Sequence, residues 1–143
     1  MTESIRREIA FPQSREDVWQ ALTDSAALAE WLMPNDFEPR VGHRFTFRTQ
    51  PNPQAGFDGI VHCEVLECVP PSRLAYSWAG GGLDTRVSYR LEPDGDGTRV
   101  FFEQSGFDLS QPWGDASFRG AEAGWDRMHE RLAHVIAGLA ADR

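Results

Sequence analysis

Apolar and polar residues alternate from Ser4 to Pro12, with Ile5, Arg7, Ile9 and Phe11 against Arg6, Glu8 and Ala10. Such a period of two predicts a first strand. The period then lengthens. Ser14 followed by Asp17 is a variant of the capping box, and Val18, Trp19 and Leu22 form the apolar face of a short helix. A second short helix is predicted from Ser25 to Met33, with Leu28, Trp31 and Leu32 facing inward. Pro34 ends it, since proline lacks the amide hydrogen and restricts the residue before it.

From Phe37 to Phe107 the chain reads as strands divided by turn signals. Expected strands run from His43 to Thr49, Gly59 to Val69, Arg73 to Ala79, Asp84 to Glu92 and Thr98 to Phe107. Between them lie a loop at Pro51–Gly56, Pro70-Pro71, the triple glycine at Gly80 and the hairpin signal Asp94-Gly95-Asp96-Gly97. The stretch Ala116 to Ala141 predicts a long helix. Phe118, Ala121, Trp125, Met128, Leu132, Val135 and Leu139 recur along it at steps of three and four, as one apolar stripe. Gly120, Gly124 and Gly138 are poor helix formers, so close packing or open space is expected beside Trp125. Short links favour an antiparallel sheet, and a helix of this length is the one element able to cover it. The pattern predicts an α+β fold, a curved antiparallel sheet gripping a long C-terminal helix, with two short helices after the first strand. At 143 residues one domain, residues 1–143, accounts for the chain.

Composition narrows the chemistry. The formal charge is −8, the wrong sign for tracking a phosphate backbone, so no nucleic-acid partner is expected. All 14 basic residues are arginine, which removes Schiff-base lysines and the lysine of a phosphate-binding loop. The richness in Arg, Ala and Gly suggests a GC-rich bacterial genome. No apolar run approaches the roughly 20 residues that span a bilayer, and the N-terminus lacks the order of a secretory signal. A cytoplasmic protein with no membrane partner is the expectation. Cys63 and Cys68 fall on one predicted strand, about 17 Å apart, too far for a disulfide and wrongly spaced for zinc. His129 and His134 diverge around the long helix, so neither a metal nor any other cofactor is expected. No Gly-x-Ser-x-Gly elbow appears.

Several segments resemble the family of activator of heat-shock protein 90 ATPase homologues. They are Val18 to Asp24 with Leu28 to Leu32, Glu38 to Phe45, Gly59 to Glu67, and Pro70 to Trp78, followed by Gly97 to Val100, Ser105-Gly106-Phe107 and Gly124-Trp125. They stand in the family's order and cover nearly the whole chain. The resemblance implies the helix-grip fold of the SRPBCC, or START-like, superfamily, which includes polyketide cyclases and pollen allergens. Those folds often enclose a cavity for lipids or polycyclic compounds. Gln104 stands where a histidine is common in the family, which argues against acid–base chemistry at that place.

A cavity would draw on the strand aromatics Phe45, Phe47, Tyr76, Trp78 and Tyr89. From the long helix it would take Phe118, Ala121, Trp125 and Met128. Ligand pockets are mainly apolar with a few orienting polar groups, which suits this set; the same aromatics could instead fill the core. Candidate polar groups are His62, Glu64, Arg86, Glu103 and Gln104. His62 and Glu64 share a strand face, and Glu103 and Gln104 point oppositely. The leading expectation is non-catalytic binding of a small hydrophobic or amphipathic molecule. Two alternatives are a protein-interaction role as a chaperone ATPase activator and an enzyme of cyclase or hydratase type. The eukaryotic co-chaperone carries an additional amino-terminal domain, whereas this chain begins with the grip domain, so a chaperone partner is not expected. Edge strands and Trp113 offer pairing surfaces for a homodimer.

Overall fold

A computed structural model describes residues 2–110 and 114–142. Trp113, one of the expected pairing surfaces, lies outside the described residues. The chain forms β1 (Thr2–Phe11), α1 (Arg15–Thr23), α2 (Ser25–Trp31) and β2 (Arg44–Arg48), then β3 (Ile60–Val69), β4 (Arg73–Gly80), β5 (Leu83–Asp94), β6 (Gly97–Asp108) and α3 (Gly114–Ala141). A short 3-10 turn, Pro53–Ala55, sits in the β2–β3 loop. The six strands make one antiparallel sheet in the order β1-β6-β5-β4-β3-β2. With three helices, this is the α+β helix-grip architecture.

Local chemistry sets the two short helices. The Ser14 hydroxyl accepts the Asp17 amide at 3.4 Å, satisfying one of the free N–H groups at the start of α1. Asp24 closes α1 and opens α2, its carboxylate accepting the Ala27 amide at 3.1 Å. Helix α2 ends at Trp31, two residues short of the expectation. Asn35 then holds the exit: its Nδ2 donates to the Ser25 and Met33 carbonyls, and its Oδ1 accepts from the Phe37 amide. This clasp delivers Phe37 into the core, where it is 4% exposed, with its ring edge-on to Phe45 at 5.1 Å.

The strands bury alternate residues. On β5 these are Thr85, Val87, Tyr89 and Leu91; on β6, Thr98, Val100, Phe102 and Gln104. Beyond Gln104 the alternation breaks at a bulge, where the register against β1 jumps from Ser105 opposite Ser4 to Phe107 opposite Glu3. Gly106 takes up the extra residue with φ of +99°, a conformation costly for other residues. The jump returns Phe107 to the inner face, 5.3 Å from the ring of Phe118.

Helix α3 lies along that inner face and packs on α1, α2, β1 and β6. Its buried seam is Trp125, His129, Leu132 and Ile136. The expected stripe through Met128, Val135 and Leu139 lies at the margin of the contact, half-buried. The helix is rotated so that a histidine, not a methionine, enters the core. Arg7 on β1 fastens it from outside, its Nε donating to Asp126 at 2.8 Å and its Nη2 reaching Glu122 at 3.4 Å. That hydrogen bond holds the Asp126 carboxyl below its usual range. No described helix is long and apolar enough to cross a membrane.

Candidate functional site

Between the first half of α3, the β4–β5 turn and the β2–β3 loop is a recess of about 670 Å³. Its inner wall is Trp78, Val61, Gln104 and Trp125, all buried. Phe57, Leu83, Met33 and Met128 line its sides, half-buried. The α3 wall is nearly bare. A Cβ at Gly120 would meet nothing within 4 Å, and one at Gly124 would meet only the Met128 Cε at 3.9 Å. About one turn of helix, Gly120 to Gly124, thus brings little side-chain bulk to the recess beside Trp125.

Polar groups at the inner wall satisfy one another. Trp125 Nε1 donates to Gln104 Oε1 at 2.6 Å, and Gln104 Nε2 donates to Thr85 Oγ1 at 2.9 Å. The Thr85 hydroxyl donates to the Trp78 carbonyl at 2.9 Å. Gln104 is 1% exposed, and both ends of its amide are engaged. Its role in this geometry is to fix the indole, as expected for a buried amide with partners at both ends. Free polar capacity lies at the mouth, with Gln50, Asn52, Ser117 and Arg127.

The structure gathers Trp78, Gln104, Ala121, Trp125 and Met128 around this recess and places the other candidates elsewhere. Phe45, Phe47 and Tyr76 are inside but form a solid aromatic cluster with Phe37, at centroid distances of 5.1–6.5 Å. Phe118 packs on Phe107. Tyr89 turns to His129, with its hydroxyl 2.9 Å from Nε2. His62 and Glu64 do share a face, but it is the outer one; Val61, Cys63 and Val65 hold the inner face of β3. These two therefore do not line the recess, because the apolar residues of β3 claim the inward parity. Arg86 is exposed, and Glu103 pairs with Arg6 at 2.7 Å on the outer surface. Both cysteines are free, and burial pushes the Cys63 thiol up, out of its reactive range.

Sequence reasoning missed Phe57, Leu83 and Met33 at the recess and His129 in the core. His129 is 6% exposed, and its ring stacks on Trp125 at 5.5 Å. Burial lowers its pKa to about 4; Asp126 partly opposes that shift, and Arg7 adds to it. Its Nδ1 is buried with no partner among the described residues. The signal was the 125-129-132-136 spacing, masked by the polar residue type. Among the described residues, no three His, Cys, Asp or Glu side chains gather as metal ligands would.

This geometry can be compared with known proteins. The sequence matches the family described as Activator of Hsp90 ATPase homolog 1-like protein over residues 12–137. The chain belongs to this family. Protein MLL2253 of Mesorhizobium loti is 33% identical, with 94% of this chain and 97% of that one covered and a TM-score of 0.83. CalU16 of Micromonospora echinospora is 25% identical over 94% of this chain and 76% of its own, with a TM-score of 0.76. The Aha1 dimer of Colwellia psychrerythraea, at 22% identity, shares the fold with a TM-score of 0.77 over 94% and 96% of the chains. No curated protein matches the chain. In this chain the segment Ser105-Gly106-Phe107 after Gln104 forms the β6 bulge.

Proposed function

We propose that the protein binds a small hydrophobic or amphipathic molecule in the recess beside Trp125, without chemistry of its own. The observation that carries this reading is the bare turn of α3 over an aromatic wall. Glycine in a helix interior costs about 1 kcal/mol relative to alanine. Neither Gly120 nor Gly124 is required by a close approach, because a Cβ at either would clash with nothing. Gly120 is exposed, so the volume at the recess comes from the half-buried Gly124, whose missing side chain leaves space beside Met128.

The lining also favours binding over catalysis. Among the described residues around the recess there is no Asp, Glu, His, Cys or Tyr, so no side chain there is suited to proton transfer near neutral pH. The one buried polar side chain, Gln104, is committed to Trp125 and Thr85.

N-phenyl-1-naphthylamine, a neutral fluorescent probe, tests the reading. One saturable site is expected for the native protein, and none for Gly124→Phe. That substitution fills the recess while improving on glycine as a helix former, so circular dichroism should show a folded chain. Equal binding by the folded variant would place the ligand elsewhere.

We extend the reading to a homodimer. Strands β1 and β2 form the edges of the sheet, and an exposed edge is a template for pairing. The Colwellia relative is a dimer. Sedimentation equilibrium should return twice the chain mass at micromolar concentration; a monomer throughout would refute this part.

A further inference from the structure

We propose that the ligand of the recess is an anionic amphiphile, its apolar body against Trp125 and its acidic head on Arg127. This rests on the binding reading above and adds the class of ligand. The chain carries 22 acidic and 14 basic residues, so an arbitrary patch of its surface is more often negative than positive. The recess departs from that balance. Its only charged lining residue among those described is Arg127, and no carboxylate faces it.

Arg127 also has no side-chain partner among the described residues. Arg6 pairs with Glu103, Arg7 with Asp126, and Arg99 with Glu8 and Asp94, whereas Arg48, Arg73, Arg86 and Arg131 are, like Arg127, without an ion pair among the described residues. What sets Arg127 apart is its place on the recess. No ion pair or hydrogen bond engages Arg127 among the described residues. It sits on α3 one turn beyond Gly124, where the bare helix wall ends and solvent begins. A guanidinium there presents fixed donors suited to a carboxylate or a phosphate oxygen pair.

The inner wall fixes the orientation. With the Gln104 amide engaged at both ends, a polar head pushed inward would lose its water and find no free partner. An apolar chain loses nothing there. A head left at the mouth keeps its hydration and gains Arg127 and the neighbouring Gln50, Asn52 and Ser117. Tail inward and acid outward is the arrangement that leaves no polar atom stranded.

The test compares dodecanoate, dodecanol and dodecyltrimethylammonium, each below its micellar concentration, as displacers of N-phenyl-1-naphthylamine. Dodecanoate should displace the probe about fivefold more tightly than dodecanol, the size of one exposed ion pair. The ammonium should be weakest, and the gap should narrow as salt rises. In Arg127→Gln, an exposed site whose change spares the core, dodecanoate and dodecanol should become equal while the probe still binds. Equal displacement in the native protein, or a preference that survives Arg127→Gln, would overturn the assignment and leave the binding reading standing. If the probe and all three compounds fail to bind, the binding reading itself falls. Inorganic phosphate and hexyl phosphate separate the two headgroup sources: a phosphate-preferring mouth responds to hexyl phosphate more than to hexanoate, and a carboxylate-preferring one does the reverse. Either preference supports the proposal if it depends on Arg127, and indifference to both anions counts against it.

Discussion

Trp125→Ala is expected to lower the free energy of unfolding by about 3–5 kcal/mol, the range for deleting a large aromatic from a core. Trp125 is 2% exposed and touches the rings of Trp78 at 5.1 Å and Phe102 at 4.7 Å. It also engages Gln104 Oε1, whose loss of a partner would ordinarily cost a further 1–3 kcal/mol. Here the void left by the indole joins the recess, so water can reach Gln104 and relieve much of that second penalty. The total therefore stays near the range for the aromatic alone. Against a typical domain stability of about 5–15 kcal/mol this is a large share. Trp125→Phe keeps most of the packing and loses the donor, so about 1–2 kcal/mol is expected. Urea unfolding followed by far-ultraviolet circular dichroism checks both values. A loss below about 1 kcal/mol for the alanine variant would mean that the indole is not wedged between β4, β6 and α3.

Most of the fold was legible because its signals are local. The Ser14 cap, the Asp94–Gly97 hairpin and the alternation of β5 each lie within a few residues of what they specify. The recess was less legible because alternation tells which residues share a face and not what stands opposite them. Phe45, Phe47 and Tyr76 face inward as expected, yet Phe37 arrives from a loop and fills the space before them. Phe57, Leu83 and Met33 reach the recess from turns and helix ends, whose positions depend on tertiary packing. On β3 the parity was readable: Val61, Cys63 and Val65 are the apolar set, so His62 and Glu64 belong outside. The glycine signal in α3 was informative at one position: Gly124 is half-buried at the recess, whereas Gly120 and Gly138 are exposed, where a missing side chain frees no interior space.

Acid should weaken the protein through His129 before its carboxylates titrate. Burial holds this imidazole neutral, with a pKa of about 4 against an ordinary value near 6.5. Above pH 6.5 the residue is neutral in folded and unfolded chains alike and contributes no pH dependence. Between pH 6.5 and 4 the unfolded chain takes up a proton that the folded one refuses, so stability falls as the pH falls. The slope approaches 1.36 kcal/mol per unit, and about 2 kcal/mol should be lost between pH 7 and pH 5. Below pH 4 both states are protonated and the penalty saturates. The fitting control is the double variant Tyr89→Phe with His129→Leu, which removes both partners of the 2.9 Å hydrogen bond and strands neither. It retains every other titrating side chain except the Tyr89 phenol, which burial raises well above its ordinary range and out of this window. The stability difference between native protein and double variant should therefore shift by about 2 kcal/mol in the variant's favour from pH 7 to pH 5, measured by urea unfolding. A constant difference would show that His129 protonates as readily inside the folded protein as outside it, against its place between Trp125, Phe102 and Tyr89.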